Sequence, residues 1–191
     1  SPSNPCLEIV DIRAVSDLAH EAGALVVVDN VFATPILQRP LELGADIVMY
    51  SATKHIDGQG RTMGGAILTN NLNYFEESLI PFLRHTGPSL SPFNAWVLLK
   101  GLETIDLRVN QHSKNALLVA KFLSGHEKVS KVLYPGLKSH SQYDLAAKQM
   151  KCGGPIVSFE ICGGKEEAFK FMNSLNLIDI SNNLGDAKSL I

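Results

Sequence analysis

Apolar residues fall on two alternating periods along this chain. Ile12, Val15, Leu18 and Ala19 recur at helical spacing, and Gly23 stands where a helix is expected to stop. "ALVVVDN" then reads as a strand buried on both faces. A short helical stretch around "LQRPLELG" leads to a second strand, "ADIVMYSA", and "GGAILT" gives a third. Strands of near-continuous β-branched content, joined by helical connections, predict an α/β layer fold with a parallel sheet.

From Leu72 onward the period is helical, first around "NYFEESLIPFLR". Next comes "SPFNAWVLLKGLETIDLRVNQHSKNALLVAKFL", which is too long for one globular helix and is expected to break near Thr104 to Val109. After Gly125 the pattern becomes strand "KVSKVLYP", helix "YDLAAKQM", strand "PIVSFEI", helix "KEEAFKFMNSL" and strand "LIDIS". The division this implies is a partial large domain over residues 1–105 and a partial α+β C-terminal domain over 106–191.

The chain has 191 residues, 45% apolar and 19% charged, with a formal net charge of -2. That composition describes a soluble globular protein and leaves no basic footprint for nucleic acid or a membrane surface, so a small-molecule partner is expected. Three cysteines, Cys6, Cys152 and Cys162, show no metal-binding spacing and are expected as idle thiols in a reducing cytoplasm. No metal site is expected. The chain opens on Ser-Pro-Ser and closes on "DAKSLI", and we expect it to be an internal stretch of a longer protein.

Two neighbouring strands end in chemistry. "VVVD" delivers Asp29, and "VMYSATK" delivers Ser51, Thr53 and Lys54. In an open α/β sheet, ligands bind beyond the carboxyl ends of the strands. A lone lysine after a strand is ordinarily a solvated charge, and a lone aspartate a turn cap, but here the two arrive together. A lysine amine can form a Schiff base with a carbonyl cofactor and, once released, move protons. A facing carboxylate would keep a pyridinium nitrogen protonated, and the hydroxyls of Ser51 and Thr53 could bind a phosphate. The rival glycine-loop reading of "GQGRTMGG" fails by one residue, because Gly58-x-Gly60-x-x-x-Gly64 does not match the dinucleotide fingerprint.

On these segments the chain resembles the Cys/Met-metabolism enzymes that depend on pyridoxal phosphate (PLP), the cystathionine γ-synthase/γ-lyase family of fold-type I. "ADIVMYSATKHIDGQG" is similar to that family's lysine signature, D-[aliphatic]-x-x-x-S-x-T-K-[aromatic or His]-[aliphatic]-x-G. "SPSNP", "VVVDNVFATP", "RHTGPSLSPFNAWVLLKGLETIDLRV" and "SNNLGDAKSLI" resemble further segments of it. Within the family, "KHIDGQGR", "GPSLSPFNAW" and "ISNNLGDAKSLI" most resemble the O-succinylhomoserine sulfhydrylase branch.

The resemblance implies roles. Lys54 would carry the cofactor pyridoxal 5'-phosphate, Asp29 would partner its ring nitrogen, and Ser51 and Thr53 would hold its phosphate. Asn4 and Asn183 would face the substrate. It implies γ-replacement on O-succinylhomoserine or another O-acylhomoserine with sulfide, giving homocysteine, with a cystathionine γ-synthase or γ-lyase as the alternative. It also implies an amino-acid substrate, a thiol or sulfide partner, and a homo-oligomer, a tetramer of dimers. Part of the phosphate cage and the arginine for the substrate carboxylate lie outside these residues, so this stretch alone is expected to be inactive. His55 is expected to pack. His20, His112, His126 and His140 show no ligand spacing, and Arg84, His85 and Arg108 read as solvated charges beside helices.

Overall fold

Helix α1 (Ile12–Glu21) begins where the sequence supplies an acceptor for an orphan amide, the Asp11 carboxylate taking the Ala14 N–H at 3.0 Å. It stops before Gly23, whose φ of +71° lets the chain turn away. The structure is a computed structural model and describes residues 1–191.

Strands β1 (Val27–Asp29), β2 (Ile47–Ser51) and β3 (Gly65–Thr69) form one sheet in the order β1-β2-β3. Helix α2 (Thr34–Leu37) and a 3-10 turn at Pro40–Leu43 carry the chain back across the sheet, so β2 pairs parallel to β1. β3 departs from the expected parallel sheet. Residues 52–64 contain turns but no crossover helix, so the chain doubles back and β3 runs antiparallel to β2.

Helix α3 (Leu72–Tyr74) passes through a π-turn at Phe75–Leu79 into α4 (Ile80–Thr86). Pro81 has no N–H to continue the ladder, and the pairing slips by one residue just before it. The long apolar stretch beyond divides into α5 (Pro92–Leu102) and α6 (Ile105–Ser124), breaking at the near edge of the expected interval. Ser91 caps α5 by accepting the Asn94 N–H at 3.1 Å.

The helices cover one face of the sheet. Val48 and Tyr50 pack there with Leu37, Leu98, Ile105 and Val109, while Val28, beside Val48, packs on Ile12 of α1. Each such side chain, once buried, contributes roughly 1.5–3 kcal/mol. The other face is open, contrary to the expectation of strands buried on both sides: Val27 is 55% exposed, Met49 43% and Ile67 50%.

In the C-terminal part, β4 (Val129–Leu133) and β5 (Ser158–Ile161) pair antiparallel around α7 (Tyr143–Gln149), and α8 (Lys165–Asn173) follows. "LIDIS" is not a strand as expected. It makes a single bridge, Asp179 to Leu190, and leaves Leu177 and Ile180 exposed with no sheet face to cover. Two glutamines clip the C-terminal part onto the N-terminal segment. Gln142 exchanges hydrogen bonds with both the N–H and C=O of Ile9 (2.7 and 2.6 Å), and Gln149 donates to the Val10 carbonyl at 3.0 Å. No helix is long and apolar enough to cross a membrane.

Candidate active site

The parallel register sets Asp29 beside Met49, so Asp29 and Ser51, two residues further along β2, project from the same face of the sheet. This is the open face. Asp29 is exposed at the end of β1, where its carboxylate accepts the Val31 N–H at 3.0 Å.

Beyond Ser51 the chain enters a tight turn held by its own backbone. The N–H groups of Lys54, Asp57 and Gly58 donate to the carbonyls of Ser51, Ala52 and Lys54 at 3.2, 2.8 and 2.8 Å. Thr53 Oγ1 accepts the Gly64 N–H at 3.1 Å, tying the turn to the start of β3. Lys54 is half-buried, and its Nζ donates to Asn183 Oδ1 at 2.6 Å across 129 positions of sequence.

The segment that carries Asn183 is packed onto the lysine turn at several points. Ala187 N–H donates to the Gly58 carbonyl at 2.8 Å. Gly185, with φ of +81°, lies so near His55 that a Cβ there would stand 2.6 Å from the His55 nitrogen and 2.9 Å from its ring. Only glycine fits both the backbone angle and the space.

His55 packs, as expected, and is 3% exposed with no hydrogen-bond partner for either ring nitrogen. Burial, reinforced by His112 and Arg108 nearby, holds its pKa down to about 3, so the ring is neutral at physiological pH. The next charge along, Asp57, has a fully buried side chain. It is satisfied by the Arg61 backbone N–H and by Arg61 Nε at 2.9 Å.

Asn4 occupies an exposed turn in which Ser3 and Glu8 bond to each other, and Ser1 places that segment beside β1 by donating to the Asp29 carbonyl at 3.0 Å. The structure thus brings Lys54 into contact with Asn183 and puts Asp29 and Ser51 on one face. Asn4 is not hydrogen-bonded to Lys54, whose amine goes to Asn183.

Arg108 is the correction among the charged residues. Far from being solvated, it is half-buried and donates to three carbonyls and a hydroxyl around the lysine turn. The apolar neighbours Ile105 and Val109, both buried on the same helix, were the available signal that Arg108 flanks a buried face. His20, also read as unremarkable, pairs with Asp46 at 2.9 Å on the surface. The three cysteines are exposed and unpaired.

Chemically, the arrangement offers an amine for a carbonyl, a carboxylate for a protonated ring nitrogen and hydroxyls for a phosphate. Comparison with known proteins gives the family of the chain. The family model described as "Cys/Met metabolism PLP-dependent enzyme" matches residues 1–191. The chain is 56% identical over 195 residues to an O-succinylhomoserine sulfhydrylase of Mycobacterium tuberculosis, covering 100% of this chain and 48% of that protein. It is 43% identical over 192 residues to an L-methionine gamma-lyase of Fusobacterium nucleatum subsp. polymorphum, covering 100% of this chain and 49% of the lyase.

Among solved structures, it superposes with a TM-score of 0.96 and 40% identity on a cystathionine gamma synthase from Xanthomonas oryzae pv. oryzae in complex with aminoacrylate and cysteine. That match covers 100% of this chain and 49% of the synthase. The chain therefore spans about half the length of the relatives it matches. Its fold is that of the fold-type I PLP enzymes, and the chain belongs to the Cys/Met-metabolism PLP-dependent enzyme family.

Proposed function

We propose that this chain supplies the lysine half of an active site for γ-replacement on O-succinylhomoserine, or another O-acylhomoserine, with sulfide, giving homocysteine and the free carboxylic acid. The observation that carries the reading is the Lys54 amine, half-buried and held at 2.6 Å by Asn183, beside the face that presents Asp29 and Ser51. The 56% identity to an O-succinylhomoserine sulfhydrylase supports the choice of substrate.

The residues fit pyridoxal phosphate. Lys54 would hold it covalently, Asp29 would keep a proton on its ring nitrogen, and Ser51 and Thr53 would donate to its phosphate. When bound, the cofactor supplies an electron sink for charge developing at the substrate's α-carbon. With the cofactor in place, Lys54 Nζ would be the group positioned to take the substrate's α-proton and to return one. Asn183 Oδ1 accepts from that amine and fixes its direction, which is the positional requirement of a proton-transfer base. Thr53 Oγ1 accepts the Gly64 N–H at 3.1 Å and gives its own proton only a long, 3.5 Å contact to the Gly64 carbonyl, which a phosphate anion would displace. The substrate's carboxylate partner would come from elsewhere in the whole protein, as would subunit contacts in a homo-oligomer.

A lyase or cystathionine-forming synthase is the second reading, favoured by the 43% identity to a methionine gamma-lyase. Assay of the whole protein separates the two. With O-succinylhomoserine, sulfide should give homocysteine faster than cysteine gives cystathionine, and faster than a 2-oxo acid and ammonia form without a thiol. Dominant 2-oxo acid release from methionine or cystathionine would overturn the replacement reading.

A further inference from the structure

Arg108 sits on α6, on the side of the lysine turn away from the sheet face that carries Asp29. Its guanidinium uses the whole fork: Nη1 donates to the His55 carbonyl at 2.8 Å, and Nη2 to the carbonyls of Ile56 at 3.4 Å and Gly101 at 2.7 Å. Nε donates to Thr104 Oγ1 at 3.0 Å. Two of these acceptors belong to the residues immediately after Lys54. The other two, the Gly101 carbonyl and the Thr104 hydroxyl, belong to the break between α5 and α6, where the same Gly101 carbonyl takes the Thr104 N–H at 3.3 Å.

The surrounding chain is shaped to admit this side chain. At Gly58, where φ is +68°, a Cβ would stand 2.2 Å from Arg108 Nη1 and 2.4 Å from Cζ. At Gly101 a Cβ would stand 2.1 Å from the Ile56 carbonyl oxygen. Both glycines remove atoms so that guanidinium, helix end and turn backbone can meet. Asp57, Asp186 and Arg61 are the other charges facing Arg108, and none is within ion-pair distance of it. The arginine is therefore spent on backbone, which is an expensive use of a half-buried charge unless those carbonyls must be held.

We propose that Arg108 is a positioning residue for Lys54: it fixes the backbone of the lysine turn against the α5–α6 break, so that the amine meets Asn183 at a set angle. The proposal rests on the reading of Lys54 given above only for the part of its test that uses the cofactor. Lysine at 108 would keep the charge but could not span carbonyls on two elements, because the planar fork is lost.

The test uses the whole protein and two readouts. In the cofactor-free form, amide hydrogen exchange over residues 54–60 should rise about tenfold in Arg108→Met, the scale of one lost hydrogen bond to a charged group. Leu123→Ala, a core truncation at the far end of α6, should lower thermal stability without raising exchange there. With pyridoxal 5'-phosphate added, Arg108→Met should form the borohydride-fixable bond at Lys54 about tenfold more slowly than wild type, and the pH midpoint of the imine absorbance should move. Arg108→Lys should recover part of each effect, and it carries the comparison if Arg108→Met does not fold.

Unchanged exchange over 54–60 in the arginine variants would overturn the proposal whatever the cofactor does, and so would equal exchange in Leu123→Ala. A wild-type protein that forms no bond at Lys54 would instead overturn the functional reading, leaving the exchange result to decide on Arg108.

Discussion

Acidification should destabilise the fold through His55, and the size of the effect follows from its surroundings. The ring is 3% exposed, has no partner on either nitrogen, and lies near His112 and Arg108, which disfavour a further positive charge. Its folded pKa of about 3 lies below the ordinary value of 6.5. Between those values the unfolded chain binds a proton that the folded chain refuses, so stability falls as pH drops through that window. Each pH unit is worth about 1.4 kcal/mol, so a fall to about pH 4.5 removes roughly 2.7 kcal/mol.

His112 and His140 also have lowered pKa values and add to the same trend, so the assay must isolate His55. His55→Phe, an aromatic that this position of the signature accepts, removes the titration. Urea unfolding of both whole proteins at about pH 7 and about pH 4.5 gives the difference. The gap should shift toward the variant by roughly 2.7 kcal/mol on acidification, since the other histidines cancel. Parallel pH profiles for the two proteins would refute the reasoning.

Two further substitutions test the packing, one in the C-terminal part and one against the lysine turn. Tyr134 is 1% exposed and its hydroxyl donates to the Gly154 carbonyl at 2.9 Å, so Tyr134→Phe should cost about 1–2 kcal/mol and lower the melting midpoint by a few degrees; an unchanged midpoint contradicts this. Gly185→Ala meets the His55 backbone at 2.6 Å as well as an unfavourable φ, whereas Gly23→Ala meets open space at a similar φ. The first should therefore lose about 1–3 kcal/mol more than the second, measured by urea unfolding, and equal losses would remove the contact from the argument.

Much of this was readable along the chain because the deciding interactions are local. Helical period located α1, α5, α6 and α8, with Gly23 marking the end of α1, and the strand-exit position of Lys54 was visible in "VMYSATK" itself. The direction of β3 was not, since an apolar strand has the same pattern whichever way it runs. "LIDIS" has strand composition but finds only the last residues of the chain to pair with.

The Lys54–Asn183 contact and the Arg108 fork lie across 129 and 53 positions, where no local period reports. Arg108 looked like surface charge because its acceptors are backbone carbonyls, which every residue has. Gly58 and Gly185 both take positive φ, and each also vacates the space that a distant side chain or backbone fills.

Covalent capture at Lys54 tests the account most directly. The whole protein, incubated with pyridoxal 5'-phosphate, reduced with borohydride and digested, should carry the reduced cofactor on the peptide containing Lys54, and Lys54→Ala should carry none. Label on another lysine in the wild-type protein, or label persisting undiminished in Lys54→Ala, would contradict it.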